Sequence, residues 1–182
     1  MNHRIHIFGA SGSGTTTLGR CLSLNLGLPH FDSDDYFWAE SDIPYSRQRE
    51  EIERQELLRS DLQERSDWVL SGSLCGWGDF TIPMFTTAIF LWIPEEIRIG
   101  RLKKRETERY GVEALQPGGW FHDNSEAFIA WASRYDSGGL EVRSRILHEQ
   151  WMDELPCRVI RIEETLSTEE LVAKVENQLI PG

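Results

Sequence analysis

Apolar residues along this chain come in short bursts divided by glycine and by charged spans. Ile5-His6-Ile7-Phe8 ends at Gly9, and from Thr15 to Leu26 leucines return at 18, 22 and 26, the spacing of one helical face. That predicts strand, glycine loop, helix. A second short strand ends near Phe31-Asp32, where the acidic and aromatic stretch Asp32 to Trp38 begins. The charged span from Arg47 to Arg65 repeats Ile52, Leu58 and Leu62 on one side, as an exposed amphipathic helix does. Trp68-Val69-Leu70, leading into Ser71-Gly72-Ser73, and Thr87 to Ile93, stopping at Pro94, are compact runs of the buried-strand type.

Glu95 to Tyr110 is helical and basic, while Gly111 to Asp123, with Pro117-Gly118-Gly119 inside it, reads as a loop. Helices are expected at Ser125 to Tyr135 and Leu140 to Trp151, parted by Gly138-Gly139. A last strand, Arg158 to Ile162, precedes a helix near Thr168 to Leu179. Strands alternating with helices predict the α/β class, with a doubly wound parallel sheet. There is no internal repeat and no low-complexity stretch. The expectation is one domain over 1–182, with the Gly111 to Asp123 loop as its mobile element.

Composition narrows the partners. A chain of 182 residues with 40% hydrophobic and 27% charged positions has an ordinary globular balance and room for one core. No apolar run approaches the roughly 20 residues that span a bilayer, and Met-Asn-His-Arg-Ile-His passes into a strand without a signal-peptide core. A cytoplasmic protein is expected. The net charge of -11 and pI near 4.9 repel nucleic acid and anionic membranes, so any anion must be handled locally. Cys21, Cys75 and Cys157 are odd in number and in no metal-ligand spacing, and read as reduced and mostly buried.

The local anion site is legible. Gly9-Ala10-Ser11-Gly12-Ser13-Gly14-Thr15-Thr16 matches the P-loop pattern G-x-x-x-x-G-K-[ST] at every fixed position but the lysine, which is Thr15. Glycines let successive backbone N–H groups turn inward around phosphate oxygens, and the following helix points its positive end at the same anion. The segment Gly9 to Thr17 is therefore the candidate ATP cradle, with the Thr16 hydroxyl on the magnesium ion between the outer phosphates. Only Lys103, Lys104 and Lys174 exist in the chain, none near the loop in sequence. Positive charge must reach the phosphates from elsewhere, and the arginines of the 101 to 145 region are the candidates. Arg101 and Arg105 lie four apart, on one helical face; Arg134, Arg143 and Arg145 follow.

Along nearly its whole length the chain resembles the adenylate kinase family of small-molecule kinases. In that family an R-x-x-x-R pair precedes the lid, and an R-x-D segment follows it with a further arginine eleven residues on. Arg101 and Arg105 match the first element; Arg134, Asp136 and Arg145 match the second. The resemblance implies a three-layer P-loop kinase fold with five parallel strands, a short lid at 111–123, and Arg101, Arg105, Arg134 and Arg145 around the transferring phosphoryl group. Two departures stand against it: Thr15, and Trp68-Val69-Leu70-Ser71-Gly72-Ser73-Leu74, where the family commonly has W-V-L-D-G and then an acceptor-binding arginine.

Asp32 and Asp34 form a D-x-D after the second strand that resembles shikimate kinase-type members of the P-loop kinases. There one carboxylate serves the magnesium shell and the other a substrate hydroxyl, which assigns Asp32 to the metal with Thr16 and Asp34 to the acceptor. The bland alternative has Asp32 to Asp35 capping the next helix. Tyr36, Trp38, Trp77 and Trp120 fall near loops flanking the cleft, and Trp68 and Trp92, within strand patterns, are expected in the core. The function expected is an ATP- and magnesium-dependent phosphotransferase acting on a nucleoside monophosphate or a hydroxyl compound. Alternatives are a nucleotide-binding module that has lost phosphoryl transfer, or a slow NTPase.

Overall fold

The computed structural model describes residues 3–179. Five parallel strands, β1 (Arg4–Gly9), β2 (His30–Asp32), β3 (Trp68–Ser71), β4 (Thr87–Leu91) and β5 (Arg158–Ile162), form one sheet in the order β2-β3-β1-β4-β5. The connections between parallel neighbours carry α1 (Thr15–Leu26), α2 (Ser33–Phe37), α3 (Glu51–Gln63), α4 (Glu95–Tyr110), α5 (Val112–Leu115), α6 (His122–Ser133) and α7 (Arg145–Asp153), and α8 (Thr168–Leu179) follows the last strand.

Alternation along the strands sorts the core into two layers. Ile5, Ile7, Val69, Ile89 and Leu91 face one way and pack with Leu18 and Leu22 of α1 and Val175 of α8. Phe8, Trp68, Leu70, Ala88 and Phe90 face the other way, against Leu58 and Leu62 of α3 and Trp151 and Met152 of α7. Each such side chain taken fully from water stabilises the fold by roughly 1.5–3 kcal/mol. With both faces covered, the strands leave their carboxyl edge as the open place for a ligand.

Several expectations are corrected. The segment expected to be a loop from Gly111 to Asp123 contains α5, and α6 starts at His122 rather than Ser125. The helix expected from Leu140 starts only at Arg145, because Ser144 is its N-cap and accepts from the Leu147 amide at 3.1 Å. Ile52 is 73% exposed, and its expected place on the buried face of α3 is taken by Arg54 with Leu58 and Leu62. Trp92 is only partly buried, its indole N–H donating to Asp136, whereas Trp68 is fully buried as expected. The three cysteines are free and half-buried. Among the described residues no helix is long and apolar enough to cross a membrane.

Candidate active site

The loop from Gly9 to Gly14 joins β1 to α1 at the carboxyl edge of the sheet. Ser13 N–H closes its turn on the Ala10 carbonyl at 3.1 Å. Gly12 has φ +83, and a β-carbon there would stand 2.7 Å from the Arg98 carbonyl of α4, so the close approach of loop and helix requires glycine. The first turn of α1 has neither a capping side chain nor an acidic residue, which leaves its N–H groups to an incoming anion. The Ser13 hydroxyl is buried without a partner. Unpaired donors around a glycine cradle suit phosphate oxygens. Thr17 is exposed at the helix surface.

Asp32 uses both carboxylate oxygens. One accepts the Asp34 amide at 3.1 Å and caps α2; the other accepts the Thr16 hydroxyl at 2.9 Å. Capping and functional placement therefore coexist in one residue. Hydroxyl and carboxylate are hard oxygen donors of the kind magnesium takes. Among the described residues no three His, Cys, Asp or Glu side chains gather into a metal cage, and a cation held by Thr16 and Asp32 would complete its shell with phosphate and water.

Asp34 lies two residues further on, in the first turn of α2 and exposed at the cleft. Desolvation of its carboxyl by the protein packed around it, then the charge of Asp32, push it above the usual carboxylate range, while Arg143 and Arg105 pull it back. Burial likewise lowers both guanidiniums, and the Asp34 charge raises them. Arg105 Nε is buried without a hydrogen-bond partner. Arg143 is half-buried over the Trp131 ring, 5.2 Å from its centroid, and makes no hydrogen bond or ion pair among the described residues. Two guanidiniums with unused donor capacity thus act electrostatically on one carboxylate.

The other candidate arginines are placed differently. Arg101 is exposed and unpaired among the described residues, with Nη1 3.9 Å from the point where a β-carbon on Gly14 would stand. Arg134 forms an exposed ion pair with Glu141 at 3.2 Å. Arg145 is held by Glu149 at 3.5 Å and Glu163 at 3.2 Å and lies over the Trp92 ring. Asp136, the R-x-D carboxylate, accepts from Trp92 and from the buried Arg98. Arg98 also donates to the carbonyls of Ile93 and Ala132, so it ties α4 to the end of α6.

On the acceptor side, the Tyr36 ring is buried and its hydroxyl donates to Asp61 at 2.7 Å; Trp77 is buried and donates to the Ser73 carbonyl. Trp38 lines an open cleft of about 960 Å³ with Asp34, Tyr45 and Tyr110. Trp120 is 59% exposed on the segment between α5 and α6, edge-on to Tyr110. At the end of β3, Ser73 meets the buried His148, whose other ring nitrogen meets the Tyr135 hydroxyl, at 3.0 and 2.8 Å.

Sequence reasoning named Arg143 only as one of the arginines of the 101 to 145 region, without a role, and passed over Arg98 and His148. The available signal was Ser144: a serine cap at the start of α7 leaves the residue before it outside the helix.

Residues 5–129 match the AAA domain family. A curated relative, the uncharacterized protein YqaC of Bacillus subtilis (strain 168), is 48% identical over 179 residues, covering 98% of either chain. Among solved structures, a shikimate kinase from Acinetobacter baumannii in complex with shikimate superposes with a TM-score of 0.55 at 19% identity, over 96% of this chain and 91% of that one. A sugar kinase from Janibacter sp. gives a TM-score of 0.54 at 15% identity, over 98% of this chain and 95% of that one. At such identities these two likenesses establish the α/β P-loop kinase fold.

Proposed function

The chain belongs to the AAA domain family, and on that premise we propose that it is an ATP-dependent phosphotransferase that moves the γ-phosphoryl group to a small acceptor. The observation that carries this reading is the convergence at one end of the phosphate loop. The Thr16–Asp32 pair stands there with Asp34 two residues on, and the charges of Arg105 and Arg143 act on Asp34.

Gly9 to Gly14 and the first turn of α1 hold the phosphates through backbone N–H groups, with the Ser13 hydroxyl as a further donor. Thr16 and Asp32 would hold magnesium, which would offset the negative charge of the outer phosphates. Arg101, beside Gly14, stands in for the lysine that Thr15 replaces. Arg105 and Arg143 offset the charge that spreads over the transferring group, which is where catalysis of this reaction class chiefly resides. Arg134 and Arg145, matched to the adenylate kinase pattern, join them if the closing lid breaks their present ion pairs. Asp34 takes the proton of the acceptor hydroxyl as its oxygen bonds the γ-phosphorus; the bond to the bridging oxygen breaks and ADP leaves.

A second reading, a nucleotide-binding module without turnover, has Thr15 in its favour. The test is magnesium-dependent ADP formation across small acceptors, with Asp34→Asn as control. Acceptor-dependent turnover that falls at least a hundredfold in the control supports phosphotransfer. ATP binding with no ADP above the blank for any acceptor supports the binding module.

A further inference from the structure

The cleft beside Asp34 is roofed by the loop between α2 and α3. That loop is closed on itself by the antiparallel bridge between Trp38 and Gln48 and by backbone bonds from Ala39 to Arg47 and from Arg49 to Phe37. Its walls are aromatic: Trp38, Tyr45 and Tyr110, with Trp38 and Tyr45 edge to face at 6.1 Å.

The charges on this lining are lopsided. Four carboxylates line it, Asp34, Asp35, Glu40 and Asp42, and none takes part in an ion pair among the described residues. Its two cations are already engaged. Arg49 donates to the Tyr36 and Trp38 carbonyls and to Glu53. Arg109 leans on Tyr45, donating to its hydroxyl at 3.4 Å with the guanidinium over the ring. Acidic residues alone would be a solvated face. Here they line a cleft of about 960 Å³ together with three aromatic side chains and the proposed proton acceptor, Asp34. An anionic acceptor would meet four carboxylates while both arginines of the lining are engaged, whereas an ammonium group gains the carboxylates and the aromatic walls.

We propose that the acceptor is a polyhydroxy compound bearing an amino group, seated in the Trp38–Tyr45–Tyr110 cleft with its ammonium against Glu40 and Asp42 and a hydroxyl at Asp34. The proposal rests on the phosphotransfer reading of the same site. It assigns the positive half of the site, Arg105 and Arg143, to the phosphoryl group and the negative half to the acceptor.

Three hydroxyl compounds of one scaffold separate the charge classes: glucosamine, glucose and gluconate, with aminoglycosides and nucleoside monophosphates added as larger members. The expected result is ADP formation with kcat/KM about tenfold higher for the amine-bearing acceptors than for the neutral ones, with the anionic ones lowest. In a Glu40→Gln, Asp42→Asn double variant, verified as folded by circular dichroism, the ratio of amine to neutral kcat/KM falls by about tenfold. Preference for gluconate or for a nucleoside monophosphate, or an amine ratio unmoved in the variant, overturns the proposal and leaves phosphotransfer standing. If no acceptor is turned over, calorimetric titration of glucosamine into the ADP-loaded protein separates the two failures. Binding lost in the double variant keeps the ligand class and removes phosphotransfer; no binding removes both.

Discussion

Arg101 Nη1 lies 3.9 Å from where a β-carbon on Gly14 would stand, so an unpaired guanidinium from α4 reaches the phosphate loop next to the residue that replaces its lysine. A charge-assisted hydrogen bond from that guanidinium is worth about 1.5–3 kcal/mol. Arg101→Ala is expected to weaken ATP binding at least tenfold. Thr15→Lys should restore most of that loss in the Arg101→Ala background and gain little in the parent, where the position is already served. Titration with a fluorescent ATP analogue across the four proteins checks this. A large gain from Thr15→Lys in the parent would mean that Arg101 does not act there.

Arg143 and Arg145 stand two residues apart in different electrostatic settings. Arg143 makes no hydrogen bond or ion pair among the described residues and its charge acts on Asp34, whereas Arg145 shares Glu149 and Glu163 with Arg161. Removing Arg143 takes away charge that only the transferring group would use. Arg143→Ala is expected to lower kcat by a hundredfold or more, against less than tenfold for Arg145→Ala, whose ion pairs are partly exposed and contribute at most about 1 kcal/mol each. Comparing kcat of the two variants at saturating ATP reads this directly, and equal losses would restore Arg145 to the phosphoryl group.

That pair also marks the limit of what the chain reveals unaided. The strands and α1 and α4 were legible because period-two and period-3.6 patterns coincide with glycine and proline at their ends. The phosphate loop was legible because its spacing is rigid. Spacing also selected Arg145, eleven residues past Arg134, but a spacing rule cannot see that Glu149 and Glu163 would close on that side chain. Nor could it see that Ser144 caps α7 and leaves Arg143 on the loop. Ile52 misled for a related reason: on a helix as polar as α3, aromatic neighbours from elsewhere decide which side is buried. Phe37 and Trp77 hold Arg54 there, their ring centroids 4.4 and 5.2 Å from its guanidinium.

Gly12 is where the loop touches α4, its φ at +83 and the Arg98 carbonyl 2.7 Å from a would-be β-carbon. Gly12→Ala must shift loop or helix, and the left-handed backbone adds strain of about 1–3 kcal/mol. ATP binding should fall well over tenfold, with a lower urea midpoint. If ADP formation and midpoint were both unchanged, the loop would not be held against α4 in solution.

Acid sensitivity follows from two buried imidazoles. His6 is fully buried, stacked between Phe8 and Phe85, with Nδ1 3.2 Å from the Leu70 carbonyl; His148 is fully buried between Ser73 and Tyr135. Burial pushes both down to about 3, from an ordinary value of 6.5. Between those limits the unfolded chain binds more protons than the native one, so stability rises with pH and is lost as pH falls below 6.5. At pH 5 each histidine costs about 2 kcal/mol relative to neutral pH, a large share of a typical stability of about 5–15 kcal/mol. Replacing His148 with Gln keeps a donor and an acceptor in place of the ring and removes the titration. Comparing the variant with the parent at each pH also cancels the carboxylates, leaving His148 as the difference. The urea-derived loss between pH 7 and pH 5 should shrink by about 2 kcal/mol in His148→Gln. An unchanged loss would mean that His148 is protonated in the native state and that the Ser73–His148–Tyr135 chain opens in acid.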